Sequence, residues 1–208
     1  MKSIQRKILT EIFNHVPPHE CACGFRRGKS IEHFVAPHAG KAFVLRVDLE
    51  DFFLTVRASR VHAIFSTIGY PEQVARLLTG LCTNSVPPNV VSVGSRLDTR
   101  PLSGMKQALL RTPHLPQGAP TSPALANLCA YRLDARLQSL ARKSGWTYTR
   151  YADDLVISGA WMNSVGFGRL HAMLDGIGRD EGFKLNPAKT RFMPASQRQH
   201  AAGLILRV

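Results

Sequence analysis

Acidic side chains are scarce in this chain, 14 Asp plus Glu against 27 Lys plus Arg, so the placement of each one carries information. Asp48 closes a short apolar run, Ala42-Phe43-Val44-Leu45-Arg46-Val47, which reads as a largely buried strand. Asp153 and Asp154 sit side by side between two β-prone runs, Trp146 to Tyr151 and Leu155 to Ser158. That pattern reads as a hairpin with a pair of carboxylates at its turn. If the two elements share one sheet, three carboxylates converge. Clustered carboxylates raise one another's pKa unless a cation neutralises them. Oxygen-only ligands favour Mg²⁺ or Mn²⁺ over zinc. Two such ions about 3.5–4 Å apart activate a hydroxyl and stabilise a leaving phosphate oxygen. An Asp-Asp pair also suits turn geometry for its own sake, so the spacing alone leaves both readings open.

Other groupings are weaker. His19, Cys21 and Cys23 could suggest zinc, but no second Cys/His pair follows at ligand spacing. The four cysteines, Cys21, Cys23, Cys82 and Cys129, are too few and too scattered for a disulfide framework. Gly24-Phe25-Arg26-Arg27-Gly28-Lys29-Ser30 invites comparison with a phosphate-binding P-loop. That motif needs four residues between its glycines and a preceding strand; here three intervene and no strand leads in, so it is excluded.

The elements that must position the carboxylates form an α+β pattern. Residues 2–14 read as an amphipathic helix, ended by Pro17 and Pro18. Helices are expected over 59–68, with Ser59 as cap, and from about Pro71 to Leu81. Residues 83–112 are the least legible part of the chain. The strongest helical pattern runs from about 122 to 143, with Thr121 or Ser122 as cap, Pro123 in the first turn and Gly145 at the end. A helix over about 162–181 and a strand-like end, Ala202 to Val208, follow the hairpin. At 208 residues and 44% apolar content, this is one sizeable globular domain. Its net charge of +13 points to a polyanionic partner, nucleic acid or a membrane surface. The longest uncharged stretch, Leu77 to Ser95, contains Thr79, Asn84, Pro87, Pro88 and Gly94 and is no bilayer-spanning helix. The N-terminus has no signal-peptide core, which predicts a cytoplasmic location.

The flanks of the carboxylates narrow the reading. Tyr148-Thr149-Arg150-Tyr151-Ala152-Asp153-Asp154-Leu155-Val156-Ile157-Ser158 resembles the Tyr-x-Asp-Asp box of reverse transcriptases in its bacterial form. Phe43 to Phe53 resembles their first aspartate motif. Leu115-Pro116-Gln117-Gly118-Ala119-Pro120-Thr121-Ser122-Pro123, with Asn127 and Asp134 behind it, is similar to the template-and-nucleotide motif. Gly182 to Thr190 resembles the later lysine-bearing motif, and Gly24 to Ser30 a fingers motif. Retron-type enzymes are the nearest match in wording and group II intron enzymes the next. Two departures stand out. Phe34-Val35-Ala36-Pro37-His38 keeps only the histidine of the retron Asn-Ala-x-x-His element, and Ala201-Ala202-Gly203 replaces Val-Thr-Gly.

The resemblance implies an RNA-directed DNA polymerase built on a right-hand palm, an antiparallel sheet backed by helices, with partial fingers. Fingers elements are expected at about 1–41 and 57–116 and the palm at about 42–56 and 117–208. The family's N-terminal fingers segment and helical thumb find no counterpart in these residues. By the same resemblance, Asp48, Asp153 and the Leu49 carbonyl hold two Mg²⁺ ions, for which Mn²⁺ can substitute. Asp154 completes the cluster in a less direct role. Phe53 lies under the sugar as a gate against ribonucleotides, Gln117 and Gly118 line the nucleotide pocket, and Lys189 assists the departing pyrophosphate. Arg26, Arg27 and Lys29 meet phosphates of template or nucleotide. The implied partners are an RNA template, a DNA or RNA primer, deoxynucleoside triphosphates and a dedicated structured RNA, with no membrane. The competing reading is a truncated, non-catalytic nucleic-acid-binding relative of the same fold.

Overall fold

A computed structural model describes residues 1–91, 102–160 and 164–206. The chain divides into two compact units that interleave in sequence. One, a helical unit, comprises Met1–Pro17 and Phe53–Cys129; the other, a sheet unit, comprises Pro18–Phe52 and Ala130–Val208.

The sheet unit holds four antiparallel strands, β1 (Phe43–Asp48), β2 (Thr147–Tyr151), β3 (Asp154–Gly159) and β4 (Arg191–Pro194), in the order β2-β3-β1-β4. Central β1 is buried along its whole length except at Arg46, which is why its sequence runs apolar instead of alternating. The register sorts side chains between two faces, because directly opposed residues in a ladder share a side. Val44, Arg46 and Asp48 lie opposite Ser158, Val156 and Asp154 on one face. Leu45 and Val47 lie opposite Ile157 and Leu155 on the other. On the first face, Val44, Val156 and Met193 join Phe34, Val35, Ala201 and Leu206 in a closed apolar cluster. Packing thus leaves the Asp48–Asp154 end of that face for polar work.

The helical unit contains helices Lys2–Glu11, Ala58–Ile68, Glu72–Cys82, Gly104–Arg111 and Ser122–Cys129. Phe13 packs on Phe65 with ring centroids 5.3 Å apart, and buried Gln5 donates from Nε2 to the Leu81 carbonyl at 2.8 Å.

Several expectations need correction. The helix expected over 122–143 is two helices, Ser122–Cys129 and Tyr131–Lys143, broken at Ala130 where the chain passes between units. Arg60 Nη2 donates to the Cys129 carbonyl at 2.5 Å, engaging an acceptor at the end of the first helix. Ser59 is not a cap: the helix begins at Ala58, whose N–H donates to the Pro113 carbonyl at 2.9 Å. Strand β4 was not foreseen; at four residues it is too short to show a period. The strand-like end is a pair of two-residue strands, β5 (His200–Ala201) and β6 (Leu204–Ile205). Residues 207–208, and part of the unread stretch 83–112, lie outside the described residues.

His38, the remnant of the altered retron element, is fully buried beside the hairpin. Its Nδ1 lies 2.7 Å from Ser158 Oγ on β3, and its Nε2 lies 2.7 Å from Thr149 Oγ1 on β2. Thr149 donates its own proton to the Phe34 carbonyl at 2.9 Å, so it accepts from His38 Nε2–H. Nδ1 then accepts from Ser158, and the imidazole is neutral. Burial pushes its pKa down to about 4 from 6.5, aided by nearby Lys41. A lowered histidine pKa means that the unfolded chain takes up this proton first. Stability is therefore lost as pH falls from about 6.5 towards about 4, by on the order of 3 kcal/mol in full. Urea midpoints of the wild type should drop across this window, and those of His38→Gln should drop less. Parallel curves would show that the imidazole carries no linkage.

Candidate active site

Asp48 ends β1 and stands in register with Asp154, the first residue of β3. Between β2 and β3 only Ala152 and Asp153 form the turn, and Ala152 has the left-handed φ of 55°. Just past β1, the Leu49 N–H donates to the Asp153 carbonyl at 2.9 Å, pinning the turn to the strand end. The other side of the same backbone holds the lysine-bearing motif. Asn186 N–H donates to the Asp48 carbonyl and Glu50 N–H to the Lys184 carbonyl, both at 2.8 Å, and Leu49 pairs with Leu185. A turn then carries Lys189 back, so that its Nζ donates to Asp48 Oδ2 at 3.0 Å. Three segments far apart in sequence thereby meet through main-chain hydrogen bonds.

The three carboxylates sit in unequal surroundings. Asp48 is 4% exposed and paired with Lys189. Asp154 is gripped by the guanidinium of Arg46, Nε to Oδ1 at 2.9 Å and Nη2 to Oδ2 at 3.0 Å. Burial, reinforced by the neighbouring Asp48 and Asp154 charges, raises the Asp153 carboxyl above its ordinary value, against an opposing pull from Lys189. The hydrogen bond to Asp48 holds the Lys189 ammonium above the usual lysine range. Among the described residues, no group of three or more His, Cys, Asp or Glu side chains is placed to hold a metal ion. The third carboxylate, Asp154, is engaged by Arg46. Asp48, whose Oδ2 accepts from Lys189, and Asp153, raised chiefly by burial, are the two carboxylates that Arg46 leaves to supply hard oxygen donors. That donor set fits a divalent cation of the magnesium type.

The basic loop lies directly against the turn. Residues 21–23 run along the outer edge of β2: Arg150 N–H donates to the Cys21 carbonyl and Cys23 N–H to the Arg150 carbonyl, both at 2.8 Å. At Gly24 a Cβ would stand 2.8 Å from the Ala152 nitrogen and 3.2 Å from the Tyr151 ring, so only glycine permits this approach. Phe25 follows with φ 57°, its ring centroid 6.0 Å from that of Tyr151. Arg26 and Lys29 close a turn through Lys29 N–H to the Arg26 carbonyl at 3.2 Å. Arg27 and Lys29 are exposed, and Nη1 of Arg26 is buried with no hydrogen-bond partner among the described residues.

Asp48, Asp153, Asp154, Lys189, Arg26, Arg27 and Lys29 thus all belong to the sheet unit. Phe53, Gln117 and Gly118 belong to the helical unit. Phe53 is half-buried in the short helix Phe52–Thr55, whereas Phe52 is buried and stacks on Phe183 at 5.6 Å. Gln117 and Gly118 are exposed at a cavity of about 370 Å³, also lined by Lys2, Gln5 and Asn84. Gly118 has φ 78°. Sequence reasoning missed Arg46; its signal was a lone cation inside an apolar strand, two residues before Asp48 and hence on the same face.

Comparison with known proteins decides the family. The family model described as reverse transcriptase (RNA-dependent DNA polymerase) matches residues 1–205. The chain belongs to the reverse transcriptase family. Retron Mx65 reverse transcriptase of Myxococcus xanthus is 38% identical over 98% of this chain and 45% of its own length. Retron Mx162 reverse transcriptase, from the same organism, is 35% identical over 99% of this chain and 42% of its own. Retron Ec86 reverse transcriptase of Escherichia coli is 34% identical over 99% of this chain and 55% of its own. The chain therefore spans about half the length of these reverse transcriptases. Among solved structures, telomerase from Candida albicans, in complex with a TWJ fragment of telomeric RNA, superposes with a TM-score of 0.58 at 12% identity. That match covers 98% of this chain and 36% of the telomerase chain, and it shows the shared palm-type fold. No helix among the described residues is long and apolar enough to cross a membrane.

Proposed function

We propose that this chain carries the catalytic core of an RNA-directed DNA polymerase of retron type, one reverse transcriptase domain with palm and partial fingers, working in the cytoplasm. The observation that carries the reading is the delivery of Asp48, Asp153 and Lys189 to one place by the β1–β3 register and the backbone bonds around Leu49. Asp48, Asp153 and the Leu49 carbonyl would hold Mg²⁺, with Mn²⁺ able to substitute. The chemistry such ions would supply there is activation of the primer hydroxyl and stabilisation of the leaving pyrophosphate. The protein groups do the rest. Asp154, gripped by Arg46, stands at the rim of the site, and Lys189 supplies a cation for the departing phosphate. Arg26, Arg27 and Lys29 bind phosphates, a role supported by the buried Nη1 of Arg26, which has no hydrogen-bond partner among the described residues. An RNA template, a DNA or RNA primer and deoxynucleoside triphosphates are the substrates, and a dedicated structured RNA the partner. Primer extension on an RNA template with Mg²⁺ tests the reading, and duplex binding without extension would favour a non-catalytic relative.

Sugar selection follows from Phe53. A bulky ring beneath the sugar excludes a 2′-hydroxyl by collision, not by attraction. Phe53→Ala should lower discrimination against ribonucleotides at least about tenfold while leaving the fold intact. Unchanged discrimination in a folded variant would make Phe53 a packing residue.

A further inference from the structure

On the sheet face opposite Asp48 lies a fully buried ion pair. Arg150 on β2 and Asp134 on the helix Tyr131–Lys143 are both wholly shielded from solvent. Arg150 donates to Asp134 through Nε at 2.8 Å and Nη2 at 2.7 Å, a two-pronged grip. Tyr148 Oη donates to the same carboxylate at 2.7 Å, and the guanidinium carbon lies 5.7 Å from the Phe52 ring centroid. The remaining arm, Nη1, reaches forward to the Ala152 carbonyl at 3.0 Å.

Burying two charges is costly, and a well-packed apolar set of the same volume is often at least as stable. An apolar set cannot donate to Ala152. That carbonyl belongs to the strained residue of the turn, φ 55° without being glycine, and Asp153 follows it directly. Such a conformation persists only where its surroundings over-determine it. A guanidinium is rigid and planar, so fixing two nitrogens on Asp134 also fixes the direction of the third. Asp134 in turn is anchored on a thirteen-residue helix.

We propose that Arg150 and Asp134 are a positioning pair that aims Asp153 at Asp48 and so sets the affinity of the site for divalent metal. Neither residue touches substrate. The inference rests on the polymerase reading for its purpose but has its own readout. Mn²⁺ binding to the 208-residue chain, followed by electron paramagnetic resonance, is compared for the wild type and the triple variant Asp134→Leu, Tyr148→Phe, Arg150→Met. The triple variant removes both charges and the hydroxyl that would otherwise be stranded. It should stay folded and bind Mn²⁺ at least about tenfold more weakly. The Mg²⁺ concentration for half-maximal extension should rise in step, with primer–template affinity unchanged. If the triple variant fails to fold, Arg150→Lys carries the test, since a lysine keeps the charge but cannot span Asp134 and Ala152 together. It should show the same loss. Wild-type Mn²⁺ affinity in a folded variant, or no Mn²⁺ binding by the wild type, overturns the proposal. Mn²⁺ binding without extension overturns the polymerase reading alone.

Discussion

Asp153→Asn is expected to reduce primer extension by at least about a thousandfold, because it would remove one of the oxygens proposed to hold the metal, which acts on the transition state itself. The same change should leave the protein at least as stable in chelator at neutral pH. Burial and the adjacent Asp48 and Asp154 raise the Asp153 carboxyl in the folded state. A carboxyl with a raised folded pKa costs stability at every pH above that value, and the neutral amide removes the cost. Asp48→Asn should abolish extension equally but gain no stability, since Lys189 loses its charged partner. Single-turnover rates beside thermal midpoints check both. Extension by Asp153→Asn within tenfold of wild type, in a folded protein, would overturn the role assigned to this carboxylate.

Gly24→Val is expected to slow extension about a hundredfold without touching any charged group, the kind of loss that a displacement near 1 Å produces. Even a single Cβ at this position would meet the Ala152 nitrogen at 2.8 Å, and backbone cannot yield as the end of a side chain can. Either the basic loop lifts from β2 or the turn carrying Asp153 shifts. The two are separable: a lifted loop weakens template binding, whereas a shifted turn lowers the rate at saturating template. Wild-type rate and affinity in Gly24→Val would show that the close approach has no functional weight.

The carboxylate strand and hairpin were legible because short apolar runs ending in charge are informative in a chain with so few acids. The way in which the carboxylates meet was not. Asp48 and Asp153 are joined through Leu49 N–H and the Asp153 carbonyl, a main-chain bond on which side-chain identity leaves no trace. The break at Ala130 was equally hidden, since the apolar stripe from Leu125 to Leu140 continues through it and the Arg60 contact at Cys129 is distant in sequence. Gly24 was visible only as the first residue of a failed P-loop and of a fingers-like motif. Its meaning lies in the space it leaves beside Tyr151 and Ala152. Arg150 and Asp134 stood inside two recognised motifs, but nothing in either motif says that they touch.

The most direct test of the central claim is single-nucleotide incorporation. A labelled primer annealed to an RNA template of known next base is offered one deoxynucleoside triphosphate at a time, with Mg²⁺ and then with chelator. Only the complementary nucleotide should be added, in a reaction that depends on the metal and is lost in Asp153→Asn. Tight, salt-sensitive binding of the duplex with no addition in either Mg²⁺ or Mn²⁺ would contradict it.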